Sequence, residues 1–509
     1  MILQNIIFPD EVCDCLDMYF HVCDGVRKRE FEATDPSICE NLKKTKTKIY
    51  LKTSEWLQTD TYLNAFPVLY WKNYTEVISG ILQLDFKGKF RVQILCRVDQ
   101  IEWICEERTV TQEERGITEI NVTKYLETGN LYFRIEALGE CVFYGASYRT
   151  EQIPVKDVYL AVNICTYHRI KQVIHNLNNF LFSRFYDLDD ALYKRMRVYA
   201  IDNGNELRNL YFTDGIDIIQ NSNQGGGTGG FTRGLQEILQ ESQIHPFTHV
   251  IFMDDDVEVQ MESFYRLYAF LSFLKPEYGT RGIAGRMFRL DQRQIQYTAV
   301  ENWNGGEIVH IGHGCDMSVS PNAPVHTLDT GEYGGWWLCA YPVETIRRQK
   351  PFPFFIHCDD VEYGLRQKQE LLTLPGFQVW HETYEYRRSL NILYYDIRNT
   401  LVVNLLYGYY ALPEDMIRDW KIKLDSFHNQ QKWKEKYICA LAMWHLCTEK
   451  NFNRNQGNGD GWTFRLCKKE RLARLLTPVL HRVVAQHIKI DFEIIKKRYK
   501  KLQEDMIWQ

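Results

Sequence analysis

A chain of 509 residues is longer than one hydrophobic core usually organises, so two or three domains are expected. Its 45% hydrophobic and 25% charged residues are ordinary for a soluble globular protein. A formal charge of −5 gives no whole-protein case for binding nucleic acid.

The opening MILQNIIFPDEVCD lacks the basic start and long apolar stretch of a signal peptide. No apolar run approaches the ~20 residues that span a bilayer, so membrane contact is expected only at the periphery. Fourteen cysteines include the close pair Cys13 and Cys15 but no C-x-x-C, which points to free thiols in a reducing cytoplasm. Without an export route, the N-x-T sequons at Asn73 and Asn121 carry no meaning.

Residues 45–150 read as short strands such as Lys89–Val98 and Leu131–Leu138, separated by Gly, Asn and Asp turns, and an all-β sandwich fits them. From Val155 the pattern changes. VYLAVNICT (158–166), MRVYAIDNG (196–204), Ile216–Gln220 and HVIFMDDD (249–256) are apolar strand runs alternating with helical stretches, one of them Phe231–Leu239. That alternation predicts a largely parallel sheet with helices on both faces, which binds ligands at the C-terminal ends of its strands. After about Tyr384 helices dominate, over 388–411, 413–426 and 430–449, with a basic helical stretch after Pro478. Over 468–501 the chain carries eleven Lys and Arg against three acids. The Asn451–Gly461 loop is the expected flexible tip.

Asp254-Asp255-Asp256 closes an apolar strand. Alternate residues of an extended chain face one way, so Asp254 and Asp256 can present carboxylates to one point, which suits a hard divalent ion shared with a diphosphate. The plain alternative is a solvated acidic turn. His381, ending FQVWH, is a second candidate ligand. Alone it reads better as a structural histidine, but beside two carboxylates it becomes a candidate ligand that favours Mn²⁺ over Mg²⁺. The loop Asn221–Gly230 places five glycines before a helix, where backbone N–H groups can close on an anionic or ribose ligand. Gly225, Gly227 and Gly230 also satisfy G-x-G-x-x-G, but the loop follows the third strand of the alternation, not the first, and no Lys-Ser/Thr makes it a P-loop. A flexible surface loop is the remaining alternative. Asp359 and Asp360 open a helix; the first suits an N-cap and the second can act as a general base at the sheet edge. Trp336 and Trp337 bring paired indoles near the same edge.

In order, NICTYHR, AIDNG, N-x-GGGTGGFTRG, FMDDD, AGRM, GGWW, FIHCDDVEYGLR and LPGFQVWH resemble the galactan-polymerising galactofuranosyltransferases of mycobacterial cell walls and their bacterial relatives. The resemblance runs motif by motif over about residues 155–400 and extends to domain order. It implies a multidomain α/β chain: a β-sandwich over 1–152, a GT-A domain (Rossmann-like, mostly parallel sheet) over 153–390, and a helical region over 391–509. It implies that Asp254, Asp256 and His381 hold the metal, Mn²⁺ or Mg²⁺, and that Asp360 is the catalytic base. Arg169, Asp202, Gly226, Gly227, Arg233 and Asp255 would form the nucleotide side, and Trp336, Trp337 and Asp359 the acceptor side. His357-Cys358 departs from the aromatic Trp expected before the two acids, which bears on acceptor preference.

The resulting expectation is an inverting, metal-dependent transfer of galactofuranose from UDP-galactofuranose to a growing glycan or lipid-linked glycan, in the cytoplasm and peripherally at the inner face of the membrane. A homo-oligomer is left open. The rivals are a transferase using another nucleotide sugar such as dTDP-rhamnose, an NAD-type oxidoreductase, and an inactive glycan-binding protein.

Overall fold

The structure is a computed structural model. It describes residues 1–32, 47–127, 129–212, 214–319, 327–383, 389–448 and 470–508. The Asn451–Gly461 loop, Lys468, Lys469 and Arg388 lie outside the described residues.

The first part is one hydrogen-bonded sheet of eight strands, joined by antiparallel pairings. They are β1 (Ile2–Asn5), β2 (His21–Val22), β3 (Ile49–Leu51), β4 (Trp56–Gln58), β5 (Ile81–Val98), β6 (Ile101–Asn121), β7 (Asn130–Ala137) and β8 (Cys141–Arg149). Strand β5 begins at Ile81, well before the expected Lys89, because Gly88 is a bulge inside the strand and not a turn before it. Up to Lys87 it pairs with β8, and from Phe90 with β7, so the sheet bends along β5. Leu82, Leu84, Phe90, Val92 and Ile94 alternate inward on that strand. Helix α1 (Val68–Tyr74) packs against this sheet.

The central part is a nine-stranded sheet with path order β11-β10-β9-β12-β18-β13-β19-β17 and β14 beside β13. Its strands are β9 (Leu160–Thr166), β10 (Met196–Asp202), β11 (Ile216–Gln220), β12 (His249–Asp254), β13 (Ile283–Arg289), β14 (Gln296–Thr298), β17 (Thr330–Gly331), β18 (Leu338–Pro342) and β19 (Leu371–His381). A separate hairpin is formed by β15 (Glu301–Asn304) and β16 (Glu307–His310). Pairing directions make β9, β10, β11, β12, β13 and β19 run one way, with β14, β17 and β18 opposed. The runs LAVNICT and HVIFM are buried throughout most of their length, as interior strands covered on both faces require.

Helices α2 (Ile170–Leu181), α3 (Gly226–Glu241), α4 (Glu262–Phe273), α5 (Val343–Arg348) and α6 (Asp359–Gln367) accompany this sheet. Helix α4 ties the two sheets together: Glu262 accepts from Asn5 N at 2.8 Å, and Arg266 Nη2 donates to Leu63 O at 2.6 Å. One apolar cluster runs through both parts, from Leu3 to Trp380, so the change of element type near residue 152 is not a break in the core.

The last part comprises α7 (Leu390–Leu406), α8 (Pro413–Asn429), α9 (Trp433–Thr448) and α10 (Glu470–Glu504). Ser389 caps α7 by accepting from Ile392 N, and Pro413 opens α8. Helix α10 runs through Pro478 instead of starting after it. Buried Ala473 and Val484 pin it on both sides of the proline, and tertiary packing outweighs one missing backbone donor. Among the described residues every cysteine is free, and no helix is long and apolar enough to cross a membrane.

Candidate active site

Six strands running one way must end on one edge of the sheet. Asp254 ends β12 and His381 ends β19, while the opposed β18 begins at that edge and so delivers Trp336 and Trp337 to it. His381 Nε2 lies 3.2 Å from Asp256 Oδ1 and 3.8 Å from Asp254 Oδ2. One ligand atom from each of the three residues lies within 4.8 Å of the others. Two carboxylates and an imidazole at that spacing are a donor set a divalent transition ion accepts.

Asp255 turns the other way and is 4% exposed. Burial raises its carboxyl to about 6, while the Arg169 guanidinium pulls it down. Arg169 Nη1 is 3.0 Å from Asp255 Oδ1 and 2.9 Å from Asp256 Oδ2, which offsets part of the repulsion within the triplet.

The glycine run is not a loop before a helix. Helix α3 begins at Gly226 and not at Phe231, and the glycines form its first turns. At Gly230 a Cβ would come within 2.1 Å of Cys165 Sγ, so the helix lies on β9 only because the residue has no side chain. Gly226 has φ +63° and a Cβ there would sit 2.3 Å from Phe355 O. Thr228 in the same turn donates its hydroxyl to Asp359 Oδ2 at 2.7 Å, joining α3 to α6.

The turn before α6 is strained. Phe355, His357 and Cys358 have φ of +79°, +64° and +65°. Buried Asn399 of α7 holds it, its Nδ2 donating to Ile356 O at 2.8 Å and His357 O at 2.9 Å. Asp360 follows. Burial, then the charges of Asp359 and Glu301, push its carboxyl well above the usual range, the direction a carboxylate base needs. Burial also raises Asp359, against the Thr228 hydrogen bond.

A cavity of about 900 Å³ gathers Arg169, Gly226, Gly227, Asp254, Asp255, Trp336, Trp337, Asp359, Asp360 and His381. Trp336 stacks on Phe252 at 4.2 Å between ring centroids, and Trp337 Nε1 donates to Gly285 O at 3.2 Å, so both indoles are firmly seated. Two nominated residues stand apart. Asp202 is 1% exposed and accepts from Gly204 N at 3.0 Å and Leu207 N at 2.8 Å, holding its own turn while Asn203 reaches the cavity. Arg233 pairs with Glu237 and faces a second cavity of about 300 Å³ with Lys350 and Met506.

The sequence reading passed over Glu301, Trp303 and Asp396, which also line the main cavity. Glu301 is 2% exposed, with His310 Nδ1 2.7 Å away. Asp396 of α7 pairs with His357. None of the three sits in a recognisable motif.

A family model described as Galactofuranosyltransferase 2 N-terminal matches residues 25–151. Galactofuranosyltransferase GlfT2 of Mycobacterium tuberculosis (strain ATCC 25618 / H37Rv) is 24% identical over 411 residues, covering 74% of this chain and 62% of its own. Galactofuranosyltransferase GlfT2 of Mycolicibacterium smegmatis (strain ATCC 700084 / mc(2)155) is 24% identical over 395 residues, covering 71% and 59%. The chain thus spans about three-fifths of the length of the curated relatives it matches. Among solved structures, xylanase 10B CBM22-1–GH10 modules of Clostridium thermocellum cover 40% of this chain and 38% of their own at 8% identity and TM-score 0.17, too low to carry an argument. The sheet edge, its acids and these matches put the chain among relatives of glycosyltransferases. Within that class it is related to the galactofuranosyltransferases.

Proposed function

We propose that the chain is an inverting, metal-dependent glycosyltransferase of GT-A layout. Its donor is UDP-galactofuranose and its acceptor a hydroxyl of a cell-surface or lipid-linked glycan. The observation that carries the reading is the meeting of Asp254, Asp256 and His381 with Asp360 and the paired tryptophans around one cavity, in a chain related to galactofuranosyltransferases.

Asp254, Asp256 and His381 would hold Mn²⁺ or Mg²⁺, which supplies positive charge to offset that developing on the departing diphosphate. Arg169 adds a fixed guanidinium on the same side and keeps Asp256 oriented. Asp360 takes the proton of the acceptor hydroxyl as that oxygen bonds to the anomeric carbon and the carbon–phosphate oxygen bond breaks, releasing UDP. One base and one leaving group on opposite faces of the sugar give a single displacement and inversion. Trp336 and Trp337, 4% and 3% exposed, form part of the cavity wall near the base.

The test is a donor screen with purified protein, Mn²⁺, a lipid-linked galactofuranosyl acceptor and a panel of UDP- and dTDP-sugars, read as nucleotide released. UDP-galactofuranose alone should turn over. Turnover only of dTDP-rhamnose would replace the donor, and turnover of none would remove the transferase reading.

A further inference from the structure

Glu362 stands two residues after Asp360, and the chemistry above gives it no task. Its side chain has 0% exposure. A carboxylate so placed persists only if its oxygens are hydrogen-bonded. Arg366 Nη2 donates to Oε2 at 2.7 Å, and Gln503 Nε2 donates to Oε1 at 2.6 Å. The Tyr407 hydroxyl lies 3.2 Å from Oε1 and 3.1 Å from the Glu362 carbonyl. Three elements therefore meet on one carboxylate: α6, the residue after α7, and the last turn of α10.

The chain then continues past α10 across the segment that leads into α6. Lys350 N donates to Met506 O at 2.9 Å, and Trp508 Nε1 donates to Ile346 O at 2.6 Å. Lys350 Nζ lies 4.9 Å from the Trp508 ring centroid, and Lys350 O accepts from Arg366 Nη2 at 2.9 Å. The start of α6 is set by the strained Phe355–Cys358 turn, and its middle by Glu362. Among the described residues, Glu362 is the charged anchor from this nine-residue helix to the last turn of α10.

We propose that Gln503 is a positioning residue for Asp360, the C-terminal helix and its tail forming a strap that fixes α6 through Glu362. This rests on the transferase reading, in which Asp360 is the base. Without the Gln503 amide, Oε1 keeps only the Tyr407 hydroxyl, which the Glu362 carbonyl also attracts. A helix of two and a half turns transmits a shift at Glu362 to Asp360, and displacements of about 1 Å at a reacting group can lower turnover ~10²-fold.

The test compares Gln503→Met, which keeps length but removes the donor, with Gln503→Lys, which restores an N–H donor toward the carboxylate. Gln503→Met should lower kcat between roughly tenfold and hundredfold. Donor KM and UDP affinity by calorimetry should stay close to wild type, while Tm falls modestly because the buried Glu362 carboxylate loses a donor. Amide hydrogen exchange over 360–366 should speed up at least about tenfold, with 160–166 unchanged. Gln503→Lys should recover both. Unchanged exchange in α6 overturns the proposal, and so does a kcat loss matched by an equal loss of UDP affinity. A wild type that turns over no nucleotide sugar removes the transferase reading instead, and the exchange result still decides whether Gln503 holds the helix.

Discussion

His381 Nε2 and Asp256 Oδ1 lie 3.2 Å apart although 125 residues separate them in the chain. The contact exists because β12 and β19, three strands apart in the sheet, run the same way and end on one edge. His381 is 2% exposed, so an imidazole against two carboxylates there is a built arrangement and not a surface accident.

That arrangement predicts metal dependence. Excess EDTA should abolish nucleotide release and Mn²⁺ restore it. Asp256→Ala should raise the Mn²⁺ needed for half-maximal activity by at least the ~10–100-fold that even outer-shell changes cause. Full activity in EDTA would dismiss the metal site.

Asp360→Asn should lower turnover by roughly 10²–10⁴ while UDP and Mn²⁺ binding stay near normal, because the amide cannot take a proton. Calorimetry beside single-turnover kinetics separates the two. Lost nucleotide binding would move Asp360 to the donor side.

Much of this edge was legible because it obeys strand arithmetic. Asp254, Asp256, His381 and the two acids of α6 each stand at the end of an apolar strand or the opening of a helix, where polar residues of a parallel sheet gather. Asp202 obeyed the same rule and still faces its own turn, where two backbone amides hold it, and Arg233, nominated by the resemblance, pairs with Glu237 one turn further along α3. The glycine run read as a loop because glycine disfavours helices; close contact of α3 with Cys165 and Phe355 overrode that propensity. Glu301 and Asp396 were invisible, since their place in the cavity comes from hairpin β15–β16 and from α7 folding back, which no local spacing encodes.

Gly226→Ala should destabilise the protein by about 1–3 kcal/mol, since φ +63° disfavours a side chain and the new Cβ meets Phe355 O at 2.3 Å. The displaced Phe355 turn leads to Asp360, so turnover should fall as well. Gly229→Ala, whose Cβ would meet nothing within 4 Å, should leave stability unchanged or slightly higher. Urea midpoints for both variants check the contrast.

His445 makes a stability difference with pH. It is buried, the Tyr394 hydroxyl lies 2.7 Å from Nδ1, and burial followed by the Arg398 charge lowers its pKa to about 4. The unfolded chain binds the proton near 6.5, so this contribution is complete above that pH and is lost as pH falls from 6.5 toward 4. Between pH 7 and pH 5 wild type should lose about 2 kcal/mol more than His445→Gln. Parallel losses in the two proteins would show that His445 does not titrate in this window.

Helix α10 buries Val484, Ile488, Phe492, Ile495 and Tyr499 in the helical core, so the apolar stripe facing inward is used for packing. A second stripe faces out: Leu475, Val479, Ile490 and Ile494 are 71%, 62%, 71% and 65% exposed, and Val483 is also exposed. At 100° per residue these five fall within an arc of about 100°, the geometry of a helix lying on a surface. Lys489, Lys497, Lys500 and Lys501 are exposed along the same helix, whereas Lys496 and Arg498 turn inward to Tyr410 O and to the carbonyls of Leu446 and Cys447. An anionic lipid surface suits both features, each outward lysine contributing about 1 kcal/mol at low salt. Full-length protein should therefore co-sediment with vesicles containing anionic lipid but not with neutral ones, and rising salt should release it. Changing Lys489, Lys497, Lys500 and Lys501 to Gln should abolish binding without altering Tm, while Lys496→Gln and Arg498→Gln should lower Tm instead. Binding that survives the fourfold variant, or no binding by the parent, would assign the outer stripe to contact with another protein surface.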